Sequence, residues 1–369
     1  MLRFFRNPQS CKTFTHADWN DVFEMARTGK LLARIAWVVR QEGLEEYVPP
    51  EARWILDSAW LRFLHSRRQL FWELDRIHLA VRPGETLPDA EYADAPVILL
   101  KGAAYLAAGF PWGEGRSSVD VDVLVSRENL PEIERRLTGH GWLSSTVDAY
   151  DDHYYRQWMH EIPPLYHVER NTVLDVHHNI LPTLGRIKVD PRVLWEDSVP
   201  LAGQKDAESP AAKHFRILSP CDMILHSATH LFQSGEFENE FRDVVDLDAM
   251  FRHYLPEADF ADRLFARAEK LNLERPLFYA LRYAHKMLGT PVSREVLRES
   301  RKLGGNFLIT AAMDQLVPRA LMPGRLGKTP KAAPTARKLL LVRSHFLRMP
   351  LRMLIPHLWT KWRKKKSGV

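Results

Sequence analysis

From His16 to about Val81, apolar residues recur at helical spacing: Phe23, Ala26, Leu31, Ile35 and Val38, then Ile55, Trp60, Leu64, Leu70, Leu74 and Ile77. This predicts two or three N-terminal helices interrupted at Pro49-Pro50. Pro83-Gly84 and Pro88-Asp89 mark a polar connector. The texture then changes. Val97 to Leu100 is a short apolar run closed by Lys101-Gly102, Ala103 to Ala108 suits a helix entering from that turn, and Val119 to Val125 alternates strictly. Leu130 to Gly139 reads as a charged amphipathic helix, and Leu165 to Val168 and Thr172 to Val176 are β-rich. Beyond Pro182 helical periodicity returns. Ser219-Pro220 caps a helix over Cys221 to Gln233, and further helices are expected over 238–254, 260–271, 276–288, 293–303 and 309–321.

The pattern therefore predicts an α+β protein with a small mixed sheet as its α/β core. The expected regions are an N-terminal helical region (1–90), a sheet-bearing core (91–185), a C-terminal helical domain (186–330) and a basic amphipathic tail (331–369).

Of the 369 residues, 45% are apolar and 27% charged, enough for a sizeable core. Cys11 and Cys221 are too few for a disulfide framework, and a reducing cytoplasm fits best. The N-terminus lacks the apolar run of a secretory signal. Even the greasiest stretch, Leu339 to Trp359, is broken by Arg343, Arg348 and Arg352, which argues against a spanning helix. The net charge of +6 is uneven. After Asp314 there are 14 Lys and Arg and no Asp or Glu, so residues 1–314 carry −8. The basicity belongs to the tail, and a nucleic-acid-binding surface on the body is not implied. From Ala336 to Lys366, basic residues interleave with Leu, Val, Phe, Met and Trp. Such a segment suits either an anionic membrane surface at the inner face or a helix packed on the body, interrupted at Pro350 and Pro356.

The alternating segment carries the chemistry. In a strand, Asp120 and Asp122 point to one face and Val119, Val121, Val123 and Val125 to the other. Paired carboxylates are costly to leave ionised without a cation, and hard oxygen ligands suit magnesium or manganese. Val173-Leu174-Asp175-Val176-His177 is a second β-like segment with an acid among apolar residues. Placed beside the first, it would add Asp175 as the third ligand of a two-metal site, the arrangement used for in-line displacement at a nucleoside triphosphate.

The order Leu99-Leu100-Lys101-Gly102-Ala103, Arg116, Asp120-Val121-Asp122-Val123-Leu124-Val125 and Leu174-Asp175-Val176-His177 resembles an uncharacterised nucleotidyltransferase family. It belongs to the DNA-polymerase-β-like superfamily, and some members accompany bacterial exosortase and exopolysaccharide loci. The resemblance spans roughly residues 90–255 and takes in His230 and Arg242-Asp243-Val244-Val245-Asp246-Leu247. It implies a polymerase-β-like core in which Asp120, Asp122 and Asp175 hold magnesium and act in catalysis. A nucleoside monophosphate would pass from an NTP to an unidentified acceptor hydroxyl, with release of pyrophosphate. The nucleotide-binding turn would comprise Lys101, Gly102, Ala103, Arg116, Ser117 and Ser118. One departure stands out. The superfamily usually has serine or glycine after the turn glycine, whereas here Ala103 follows Gly102, removing a phosphate contact. Lys101, the helix start after Gly102 and Arg116 would bind the triphosphate instead. The same departure motivates a rival reading as a catalytically silent, membrane-docked interaction protein. A metal-dependent phosphohydrolase is the third reading.

Other signals have plainer readings. His226 and His230 share a helical face, but Ser227 stands where a His-Glu-x-x-His zinc site needs glutamate, so a packed or capped pair is expected. Arg242 and Asp246 suit an intrahelical salt bridge. His177 is as compatible with a structural as with a catalytic role, and His178 reads as structural. Gly113-Glu114-Gly115 lacks a dinucleotide fingerprint and reads as a flexible loop able to close over nucleotide. No Gly-x-Ser-x-Gly elbow supports a serine hydrolase.

Overall fold

A computed structural model describes residues 1–81, 97–117, 120–145, 148–201, 214–356 and 359. The connector expected around Pro83 to Asp89, together with Ser118, Val119 and the Lys364-Lys365-Lys366 end, lies outside the described residues. The chain opens with helices α1 (Leu2–Arg6), α2 (His16–Thr28), α3 (Leu32–Gln41) and the long α4 (Arg53–Val81). Thr15 starts α2 with a capping box, its side chain accepting from Asp18 N and the Asp18 carboxylate accepting from Thr15 N. Pro49 and Pro50 separate α3 from α4, as the periodicity predicts.

The α+β core follows: β1 (Val97–Leu99), α5 (Lys101–Ala107), β2 (Asp120–Leu124), α6 (Leu130–Gly139), β3 (Trp142–Ser144), α7 (Ala149–Trp158), β4 (Leu165–His167), β5 (Val173–His177), α8 (Pro191–Glu196), β6 (Val199–Pro200) and β7 (Phe215–Ile217). The seven strands form one mixed sheet in the order β3-β4-β5-β2-β1-β7-β6. β2 runs parallel to β5 and β1 parallel to β7, while the remaining neighbours are antiparallel. The sheet thus continues past residue 185, where the sheet-bearing core was expected to end. β6 and β7 are too short to show a period in the sequence, and the sheet recruits them by pairing with β1.

The remaining helices are α9 (Pro220–Gln233), α10 (Phe241–Tyr254), α11 (Phe260–Lys270), α12 (Glu274–Tyr283), α13 (Arg294–Leu303), α14 (Phe307–Leu321) and α15 (Ala333–Arg348). They fall close to the segments expected from periodicity. Buried apolar side chains from Phe4 to Leu340 form one continuous cluster, so the helical regions and the sheet share a core.

The tail folds back on the body. Ala333, Ala336, Leu340 and Ser344 of α15 are buried, Arg343 Nη1 donates to Phe232 O at 2.9 Å, and Arg348 Nε donates to Gln233 O at 3.1 Å. Gly235 (φ +78°) makes the close approach possible, because a Cβ there would overlap the Ser344 side chain. α15 ends at Met349, in extended backbone immediately before Pro350, as proline demands of its predecessor. Among the described residues no helix is long and apolar enough to cross a membrane.

Candidate active site

The parallel pairing of β2 with β5 sets Asp122 directly opposite Asp175. Val121 and Val123 of β2, and Leu174 and Val176 of β5, are buried on the other face, so the strand period explains why the acids emerge together. Asp120 lies two residues earlier on the same face, at the exposed rim. All three carboxylates line a cavity of about 470 Å³.

Asp122 is 6% exposed and has two cationic or polar partners. Lys101 Nζ donates to its Oδ1 at 3.2 Å, and His177 Nε2 donates to the same oxygen at 3.0 Å. Burial alone would raise this carboxyl, but the Lys101 charge and the His177 hydrogen bond outweigh it and hold Asp122 well below the usual carboxylate range. Asp175 has no such support. Burial first, and the facing Asp122 charge second, push it up to about 7, and its Oδ1 is buried without a hydrogen-bond partner.

Lys101 takes its place through local backbone geometry. Leu100 N donates to Asp122 O at 3.0 Å, which ends β1 beside β2, and Lys101 then adopts φ +44°, unusual for a non-glycine residue. α5 begins at Lys101, two residues before the expected start. Gly102 and Ala103 are buried beneath the turn.

Arg116 does not reach the cavity. It is 5% exposed, and its Nε donates to Asp246 Oδ2 at 2.6 Å while Nη2 reaches Asp243 Oδ1 at 3.4 Å. Arg34 of α3 donates to the other oxygen of Asp246 at 3.1 Å and also to Trp112 O. The expected triphosphate contact by Arg116 is therefore replaced by a buried ion network tying α3 and the 111–117 turn to α10. Asp246, committed to two other arginines, does not pair with Arg242. That side chain donates instead to Ser117 O at 3.1 Å and lies 3.7 Å from Asp243. Ser117 thus meets Arg242 through its backbone. The expected flexible loop at Gly113-Glu114-Gly115 is a packed turn. A Cβ at Gly113 would meet the Tyr105 backbone at 2.8 Å, one at Gly115 the Ala33 backbone at 2.6 Å, and Glu114 pairs with Arg67 at 3.1 Å.

His226 is buried as expected, whereas His230 lines the cavity with its Nδ1 3.4 Å from Asp243 Oδ2. Of the neighbouring acids, Asp243 keeps its charge through His230, Arg242 and Arg116 despite burial, and Glu240 is pushed up to about 8 by burial and the Asp243 charge. His178 is pushed down to about 4 by burial. Several lining residues carried no recognisable signal in the sequence: Tyr154, His160, Glu161, Glu236 and Arg348. Among the described residues, two groups of three bring ligand atoms within 4.8 Å of one another. These are His160, Glu161 and His177, and His230, Glu240 and Asp243; the expected set Asp120, Asp122 and Asp175 shares the cavity without being gathered that tightly.

The site thus sets two acids on adjacent parallel strands beside the Lys101 turn, and comparison with known proteins gives the family. The chain belongs to the family described as uncharacterised nucleotidyltransferase, whose model matches residues 15–289. No curated protein and no solved structure matches the chain.

Proposed function

We propose that the protein is a divalent-metal-dependent nucleotidyltransferase that moves a nucleoside monophosphate from an NTP to an acceptor hydroxyl. The observation that carries this reading is the in-register pair Asp122 and Asp175, with Asp120 on the same face of the same cavity. The donors fit a hard cation. Asp175 Oδ1 is buried with no partner, and two facing carboxylates are favourable together only with added positive charge. Magnesium or manganese held by Asp120, Asp122 and Asp175 would supply charge neutralisation and activation of the attacking oxygen.

The chain's own groups do the rest. Lys101, paired with Asp122 in this state, would turn to the phosphates. Arg348 is the second cation for them: it lines the cavity, donates to Gln233 O, and among the described residues has no carboxylate at ion-pair distance. Asp175 would take the acceptor's hydroxyl proton as the new oxygen–phosphorus bond forms and the bond to pyrophosphate breaks.

Purified protein with labelled NTPs and Mg²⁺ or Mn²⁺ tests this. Pyrophosphate release with nucleotidyl transfer is expected, falling at least about 100-fold in Asp122→Ala and Asp175→Ala. Orthophosphate release without transfer would identify a phosphohydrolase. Metal-independent behaviour unchanged by both substitutions would identify a silent interaction protein.

A second reading concerns location. The outer side of α15 and the segment beyond it leave Leu339, Val342, Phe346, Leu351 and Ile355 exposed, amid basic residues with no acid after Asp314. Peripheral contact with an anionic membrane surface is the proposal these residues support.

A further inference from the structure

Beside the carboxylates, the cavity wall holds a second donor set that the proposed transfer does not use. Glu161 and His177 face each other in an isolated antiparallel bridge, and Ile162 N donates to Val176 O at 3.0 Å. Backbone pairing with the end of β5 thereby fixes residues 161 and 162 on one side of His177. His177 Nδ1 lies 3.3 Å from Glu161 Oε2, and one donor atom from each of His160, Glu161 and His177 lies within 4.8 Å of the other two. The Nδ1 atoms of both histidines are buried without a hydrogen-bond partner, and the His177 side chain is only 5% exposed. Two buried imidazole nitrogens without partners, on histidines grouped with one carboxylate, point to a missing electrophile.

We propose that His160, Glu161 and His177 bind a borderline divalent cation, with zinc the best match, at a position distinct from the Asp120, Asp122 and Asp175 carboxylates. Two imidazoles and one carboxylate form a zinc ligand set that leaves a coordination position open, whereas magnesium prefers oxygen donors throughout. Zinc bonds of about 2.0–2.2 Å in tetrahedral geometry keep ligand atoms roughly 3.3–3.6 Å apart, and the His177–Glu161 separation of 3.3 Å falls in that range. The other ring nitrogen of His177 donates to Asp122 at 3.0 Å, the kind of outer carboxylate contact that fixes the tautomer and orientation of a ligating histidine. All three side chains line the cavity, from which a further ligand would reach the cation, and through His177 the cation would orient Asp122.

The test uses the full chain, stripped of metal by chelator dialysis and titrated with Co²⁺ and Zn²⁺. One equivalent of Co²⁺ is expected to bind with visible d–d absorption, to be displaced by Zn²⁺, and to resist excess Mg²⁺. His160→Gln and Glu161→Gln should each weaken Zn²⁺ binding at least about tenfold. Asp120→Ala should leave Zn²⁺ affinity unchanged while impairing Mg²⁺-dependent transfer, so failure of this site and failure of the nucleotidyl-transfer reading are distinguishable. Near-UV circular dichroism verifies folding, and Glu161→Gln, at a partly exposed side chain, keeps the test open should His160→Gln not fold. Absence of stoichiometric Zn²⁺ binding by the wild type overturns the proposal. So does an affinity unchanged in both variants, including one lost only in Glu240→Gln, which would place zinc at His230, Glu240 and Asp243.

Discussion

At Asp175, the burial that leaves Oδ1 without a partner also creates a pH dependence of stability. The carboxyl is raised in the folded chain, so the folded state holds its proton more tightly than the unfolded state. The cost of ionising it is absent below the unfolded value of 3.8, grows as pH rises, and is complete above about 7. That rise corresponds to a ceiling of roughly 4 kcal/mol. Asp175→Asn is therefore expected to stabilise the metal-free protein at pH 8 by about 1–4 kcal/mol in urea unfolding, and to change little near pH 4. Equal stability of the two proteins at pH 8 would contradict this account. Asp120, Asp122 and Asp175 were legible in the sequence because strand alternation assigns faces without knowledge of the fold. Lys101 was legible as a turn residue, but its left-handed backbone, which brings it to Asp122, has no signature in residue type. Arg116 misled because a lone arginine between a lysine turn and an acidic strand suits phosphate equally well, and its buried partners Asp243 and Asp246 lie more than 120 residues away in sequence.

α10 is held by charges as well as by apolar packing. Asp246 accepts from both Arg34 and Arg116 in a setting where all three side chains are nearly inaccessible. Removing the shared acid strands two guanidinium groups away from water. Asp246→Ala should cost about 3–5 kcal/mol in urea denaturation, more than is usual for single substitutions; a loss below 1 kcal/mol would show that the network relaxes freely. Element boundaries were readable wherever a cap or a proline marks them, as at Ser219-Pro220 and Pro49-Pro50. The bridge between Glu161 and His177 was not readable, because Pro163-Pro164 interrupts the segment and pairing across that break follows no local period. α15 contained its own clue: buried Ala333, Ala336, Leu340 and Ser344 recur at intervals of three and four, a stripe suited to close packing that the surrounding basic residues obscured.

For the molecule as a whole, the tail has two duties in this reading: it lends Arg348 to the cavity and turns apolar residues outward. Arg348→Ala should raise the KM for NTP by about tenfold with a smaller effect on kcat, as expected for a lost ground-state phosphate contact. An unchanged KM would remove Arg348 from the phosphate site. Leu351→Glu with Ile355→Glu should abolish co-sedimentation with anionic vesicles while leaving transfer intact, and equal sedimentation of wild type and variant would remove the membrane proposal. The fold class was legible because helical and strand periods segregate along the chain. The extent of the sheet was not, since β7 enters it beside β1 from about 120 residues further on. That separation governs how the protein is made. At about 5–20 residues per second of synthesis, β1 waits roughly 6–24 s for its parallel neighbour to emerge, and Asp175 waits longer still for Arg348. The cavity thus stays incomplete until Arg348 has emerged, so a nascent chain that stops short of α15 carries the acidic strands without the pocket that would put them to use.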